Sequence, residues 1–241
     1  MKKESKIILQ IRQEISEIKD PSKAIILQRF FKTWKWEYAE GDIFCWMMVP
    51  SSRKLVDKYW SFANFDDIKI LFDSPIHEER LIWILMLVKK YSKWDSIIKK
   101  LCFNFYLDNL KRVNNWDLVD LSAHKIIWDY ILNYLEFDAS ILYKLSESMN
   151  LWERRVSIIS TAAFISKGYF DVTIALSERL LKDKHDLMHK AVWWMLREVW
   201  KKDISVLRRF LDKHADEMPR TMLRYSIEKM DKDERYKYMN K

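Results

Sequence analysis

Almost every stretch of this chain repeats its apolar residues at helical spacing. Few stretches alternate with the two-residue period of a strand. The pattern predicts helices over about 4–18, 22–32, 51–59, 64–73, 76–91, 95–110, 115–134, 138–148, 151–167, 170–182, 186–200, 203–217 and 219–239. The spans 115–134 and 219–239 are expected to be broken. Pro21, Pro75 and Pro219 sit at or just before helix starts, where a missing N–H does no harm. Asp138 and Asp203 are positioned as N-caps. Three helix openings resemble one another: Ile76-His-Glu-Glu-Arg-Leu, Leu151-Trp-Glu-Arg-Arg-Val and Leu187-Met-His-Lys-Ala-Val. Their spacing fits a unit of roughly 36–38 residues with a further copy near Trp116, the size of a stacked helix pair. The expected fold is all-α, an α-solenoid of HEAT-like helix pairs. No Pro- or Ser-rich linker interrupts it, so residues 1–241 read as a single domain.

Composition narrows the function classes. Of 241 residues, 49% are hydrophobic and 32% charged, which argues against disorder. No apolar run is long enough to span a bilayer. The opening Met1-Lys2-Lys3-Glu4-Ser5-Lys6 leads into too short an apolar stretch for a signal peptide. Cys45 and Cys102 supply neither a disulfide framework nor an all-cysteine metal site, and a reducing cytoplasm is the simplest compartment. The net charge of +8 suits a polyanion, nucleic acid above all, although a merely solvated basic surface gives the same figure.

One imbalance needs a cause. The chain has 2 Gly and 12 Trp, where ordinary usage would give roughly 17 glycines. Trp34 and Trp36 fall in a polar connection, and Trp46 precedes another. Trp60, Trp94 and Trp200 are expected just past helix ends, where a left-handed backbone favours Gly. Glycine codons of the UGA type, translated as tryptophan, would produce this pattern. So would a chain truly rich in tryptophan, and the codons distinguish the two. The suspect positions are Trp34, Trp36, Trp46, Trp60, Trp83, Trp94, Trp128, Trp193 and Trp200.

Several clusters could carry chemistry. In Asn114-Asn115-Trp116-Asp117-Leu118-Val119-Asp120, an Asn cap would place Trp116 and Asp120 on one helix face. An indole beside a carboxylate suits a cationic ligand. The alternative is a core Trp116, with aspartates that only complement the helix N-terminus. In Leu151-Trp152-Glu153-Arg154-Arg155, Trp152 and Arg155 share a face and the arginine pair could clamp phosphate, or else make surface ion pairs. Lys190, Trp194 and Arg197 form one aromatic and basic stripe, either a nucleic-acid surface or a core Trp among snorkelling cations, with Trp193 pointing elsewhere. His185 and His189 have metal-ligand spacing but no third ligand in sight. No metal and no cofactor are expected, and neither cysteine has a catalytic context.

Taken together, these blocks resemble the AlkD-like DNA alkylation repair glycosylases over most of the chain. The resemblance is carried by Gly41-Asp42-Ile43-Phe44, Val49-Pro50, Arg53-Lys54-Leu55, Ser74-Pro75-Ile76-His77-Glu78-Glu79-Arg80 and Asn115 to Asp120. It continues through Leu151 to Arg155, Lys184 to Leu187, Lys190 to Val192, Trp194 to Glu198 and Pro219 to Tyr225. The family pattern looks like Gly at Trp46, Trp128, Trp193 and Trp200, and near Trp34 and Trp36. It shows a true Trp at Trp116, Trp152 and Trp194. A real indole within a helix at 128 or 193 would overpack the array.

The resemblance implies a curved superhelix with a basic concave face that holds double-stranded DNA. A monomer with no membrane partner is expected. It implies excision of cationic alkylpurines such as 3-methyladenine and 7-methylguanine. The catalytic carboxylate maps to Asp120, its flanking aromatics to Trp116 and Trp194, and the phosphate-binding arginine to Arg155, one alignment step from Arg154. Lys190, Arg197, Arg154 and Arg224 are the expected DNA-binding residues. Alkylation at a ring nitrogen already makes the base a good leaving group. Asp120 could then stabilise the oxocarbenium character on the sugar and align water. No lysine is placed as a nucleophile, so a monofunctional enzyme is expected. Two rivals are a catalytically silent HEAT-repeat protein that binds distorted or branched DNA, and a protein-binding scaffold whose basic charge is incidental.

Overall fold

The computed structural model describes residues 5–240. The expected helix start at 4 lies outside them. Among the described residues the chain is helical, and the extended pairing is an isolated parallel bridge between Ile43 and Ile76. The residues fall into two compact units, one ending at Ser122 and one starting at Ala123.

The first unit holds α1 (Lys6–Ile18), α2 (Pro21–Phe31), α3 (Val49–Tyr59), α4 (Phe65–Phe72), α5 (His77–Lys93), α6 (Ser96–Asp108) and the start of α7 (Trp116–Tyr134). Helix α5 packs against α3 as well as against its sequence neighbours α4 and α6. Its apolar residues Leu81 to Leu87 are all buried, so it is a central helix of this unit. The second unit holds the rest of α7, α8 (Ser140–Ser146), α9 (Leu151–Ile159), α10 (Ala162–Ser166), α11 (Asp171–Leu180), α12 (Asp186–Lys202), α13 (Ile204–His214), α14 (Arg220–Ser226) and α15 (Lys232–Met239). Here α9, α12 and α14 touch in succession, although none follows another directly in sequence. Each also packs on a neighbour: α8 on α9, α11 and α13 on α12, α15 on α14. That is the packing of stacked helix pairs, in which each pair covers the apolar face of the next. The resembling openings at Ile76, Leu151 and Leu187, with the copy near Trp116, fall within one residue of the starts of α5, α9, α12 and α7.

Local chemistry sets the helix ends. Asp20 caps α2 ahead of Pro21, and Asn64 and Asp67 form a reciprocal capping box on α4. Asp95, Asn150, Asp203 and Asp231 cap α6, α9, α13 and α15. Several expectations change. The span 151–167 is two helices, because the chain turns at Ser160 and Thr161. The span 219–239 is broken as expected, but 115–134 is continuous. Asp138 does not cap α8. Its carboxylate accepts from the Ser140 N–H, while Ala139 holds the cap position. Trp60 follows α3 with right-handed φ of −56°, and Trp94 follows α5 in extended backbone at φ −113°. Trp200 lies inside α12. None of these three is left-handed. Helix α12 runs on to Lys202 because its apolar stripe continues to Val199 and its last turn carries lysines that suit the helix dipole.

Candidate functional site

In the first unit the charged opening of α5 is turned inward. His77, Glu78, Glu79 and Arg80 are each no more than 3% exposed. The Glu78 carboxylate accepts from the backbone N–H groups of Cys45 (3.1 Å) and Met47 (3.3 Å). Glu79 pairs with Arg12 at 2.9 Å, and Arg80 with Asp42 at 2.7 Å. The bridge at Ile43 finishes the seam, with the Ile43 N–H bonded to the Pro75 carbonyl and the His77 N–H to the Ile43 carbonyl. These buried charges tie the connection 42–47 to α5, since each carboxylate has a partner that offsets its desolvation.

His77 links this seam to the start of α7. Its Nε2 lies 2.8 Å from Asp117 Oδ2, and its Nδ1 lies 3.4 Å from Asp42 Oδ2. Burial works against the charged imidazole, but Asp117 and Asp42 outweigh it and raise its pKa to about 9. His77 is therefore an imidazolium at neutral pH. Asp42 shows the counterpart. Burial opposes its charge, yet His77, Arg80 and Asn114 hold its carboxyl below the usual range.

Helix α7 opens at Trp116, whose N–H donates to Asn115 Oδ1 at 2.8 Å. The Trp116 ring stacks on Phe31, with centroids 5.0 Å apart and planes within 5°, while Phe30 meets it edge-on at 5.9 Å. Phe31 stacks in turn on Phe44, and Phe44 on His77. A column of rings thus braces Trp116 from below. Trp116 is half-buried, so it is neither sealed in the core nor loose on the surface. Asp120, four residues further along α7, is half-buried too. Burial raises the Tyr106 hydroxyl's pKa and the Asp120 charge adds to that, against the opposing effect of its hydrogen bond with Ser122.

In the second unit α12 divides cleanly. Met188, Ala191, Val192, Met195, Leu196 and Val199 recur at helical spacing and are buried. That fixes Lys190, Trp193, Trp194, Arg197 and Lys201 on the other face. With Arg155, Glu198 and Tyr225 they line a cavity of about 470 Å3. The structure therefore brings Arg155, Trp194, Lys190 and Arg197 together. It also corrects the placement of Trp193, which lines this cavity and stacks on Tyr225 at 5.0 Å. Arg155 is buried, and its guanidinium donates to the Leu187 carbonyl at 2.6 Å. Arg197 lies over the Trp193 ring and 3.6 Å from Glu228, and Lys190 pairs with Asp186 at 2.8 Å.

The remaining candidates have other places. Arg154 binds Asp183 at 2.6 Å and donates to the carbonyls of Ser148 and Met149, so it holds connections together. Arg224 is exposed and lines a separate cavity of about 580 Å3 with Tyr225, Glu228, Lys232 and Arg235. His185 caps α12 through Nδ1, and His189 Nε2 bonds the Asp183 carbonyl. Among the described residues no three His, Cys, Asp or Glu side chains converge as a metal would need. Burial pushes both thiols, Cys45 and Cys102, up to about 12, so neither is poised as a nucleophile. Sequence reasoning missed Tyr225 and Lys201 in the cavity lining. It also missed the Phe31–Phe44–His77 column. The spacing of Lys201 from Lys190, Trp194 and Arg197 could have revealed it, whereas the column joins residues far apart in sequence.

Comparison with known proteins bears on the fold and the family. Among curated proteins no match is found. A solved structure titled a predicted DNA alkylation repair enzyme from Enterococcus faecalis shares the fold, with a TM-score of 0.70 and 14% identity over 89% of this chain and 97% of that one. No helix among the described residues is long and apolar enough to cross a membrane. Residues 11–230 match the sequence profile described as DNA alkylation repair enzyme, and the chain belongs to that family.

Proposed function

We propose that the protein is a monofunctional DNA glycosylase that hydrolyses the N-glycosidic bond of cationic alkylpurines, such as 3-methyladenine and 7-methylguanine, in duplex DNA. One observation carries this reading. Trp116 presents a half-buried indole braced by a ring column, with the half-buried Asp120 carboxylate four residues on in the same helix. A fixed aromatic face attracts a cationic nucleotide. A carboxylate stabilises the positive charge that grows on the sugar as the bond breaks, and it can align the attacking water. The leaving base needs no general acid, because its own positive charge is neutralised as it departs. In the second unit, Arg155 and Trp194 line one cavity with Lys190 and Arg197. That collection suits backbone phosphate and a stacked group.

The test is base release from methylated duplex DNA, with the Asp120→Asn variant beside the unaltered chain. Free 3-methyladenine or 7-methylguanine should appear, leaving abasic sites whose strands stay intact until treated with alkali. Asp120→Asn should cut release by about a hundredfold, the usual scale for one electrostatic group. DNA binding without release from the unaltered chain would instead make the protein a silent reader of DNA shape.

A further inference from the structure

The tryptophans separate into two kinds by backbone conformation and by the surroundings of the indole N–H. The chain's two glycines, Gly41 at φ 85° and Gly168 at φ 83°, both use left-handed backbone. Trp36 at φ 71° and Trp46 at φ 61° use the same region, as do Lys32, Glu136 and Phe137. A bulky residue there costs about 1–3 kcal/mol. Trp36 recovers little of it by burial, since it is 86% exposed with Lys35 over its ring.

The second observation is independent of the first. The indole N–H groups of Trp83, Trp128, Trp193 and Trp200 are sealed from solvent with no acceptor among the described residues. Each unmet donor of this kind costs about 1–3 kcal/mol. Trp116, Trp152 and Trp194 leave no such donor, although Trp152 is only 6% exposed. A glycine inside a helix costs about 1 kcal/mol against alanine, which is no more than the penalty that its indole brings. The six anomalous positions occur in a chain with 2 Gly and 12 Trp.

We propose that positions 36, 46, 83, 128, 193 and 200 are glycine in the protein that the cell makes, encoded by UGA codons decoded as glycine, and that tryptophans 116, 152 and 194 are genuine. Trp34, Trp60 and Trp94 show neither anomaly. The consequence for the second unit is concrete. Without the 193 indole, Tyr225 loses its stacking partner and Arg197 the ring beneath it, so the cavity widens beside Trp194 and a ligand can approach the α12 backbone. This inference does not depend on the proposed reaction.

The test has two readings, the codons of the gene and peptide mass spectrometry of the protein purified from its native cells. The expected result is UGA at all six positions, UGG at 116, 152 and 194, and glycine in the peptides that cover the six. UGG at 36 or 46 would overturn the proposal. So would UGA codons whose peptides contain tryptophan.

Discussion

Helices α5 and α12 open alike in sequence but face opposite environments. In α5 the four charged residues of the opening are buried, and each is matched by a specific partner: His77 by Asp117, Glu78 by backbone amides, Glu79 by Arg12 and Arg80 by Asp42. In α12 the apolar residues alone are buried, while Lys190, Trp194 and Arg197 line an open cavity. The same kind of helix opening thus acts as mortar in one unit and leaves its charges on an open cavity in the other. What differs is coverage. The connection 42–47 lies over the start of α5 and supplies partners, so charge can be buried there. At the α12 cavity, cations outnumber the acidic partners beside them, and that surplus suits an anionic ligand.

The comparison breaks most sharply at Glu78. Glu78→Ala should cost about 3–5 kcal/mol, read from the midpoint of denaturant unfolding, because the buried amides of Cys45 and Met47 lose their acceptor. A loss under about 1 kcal/mol would mean that the seam is not what holds the connection.

His77 sharpens the same point through pH. Its pKa is raised from 6.5 to about 9, so its contribution to stability is complete below about 6.5 and is lost as pH rises through about 9. The unaltered chain should therefore lose more thermal stability between pH 7 and 10 than His77→Gln does. Parallel profiles for the two proteins would show that the imidazolium contributes nothing.

The α12 side should respond in activity rather than stability. Arg155→Lys should lower base release by about tenfold to a hundredfold, since a point charge cannot reproduce the planar guanidinium fork. Equal loss of folding, followed by circular dichroism, would place Arg155 with the mortar instead. Lys190→Ala should have the smallest effect. Its exposed pair with Asp186 contributes at most about 1 kcal/mol to stability. The salt dependence of DNA binding should flatten by about one phosphate contact.

Much of this was legible in the sequence, residue by residue. The stripe Lys190, Trp194 and Arg197 follows from helical spacing alone, and the apolar residues between them enforce it. Asn115 announces the start of α7 because its side chain meets the first backbone N–H. Helix ends were less legible. Trp60, Trp94 and Trp200 were expected in left-handed backbone, but the helix before each ends differently or runs on. Position 193 is expected to face away from the stripe, but its ring lines the cavity against Tyr225 of α14.

The helical class, the repeat of helix openings and which residues of each helix share a face all follow from local pattern, because they depend on a 3.6-residue period and local caps. Which charges are spent on packing and which stay open on a cavity depends on the assembled fold. Burial and pairing depend on what a distant segment places opposite: Asp42 and Asp117 against His77, Phe31 against Trp116, Arg12 against Glu79. No local pattern encodes those partners, since an imidazole or indole reads the same in sequence whether it is buried against a carboxylate or open to solvent.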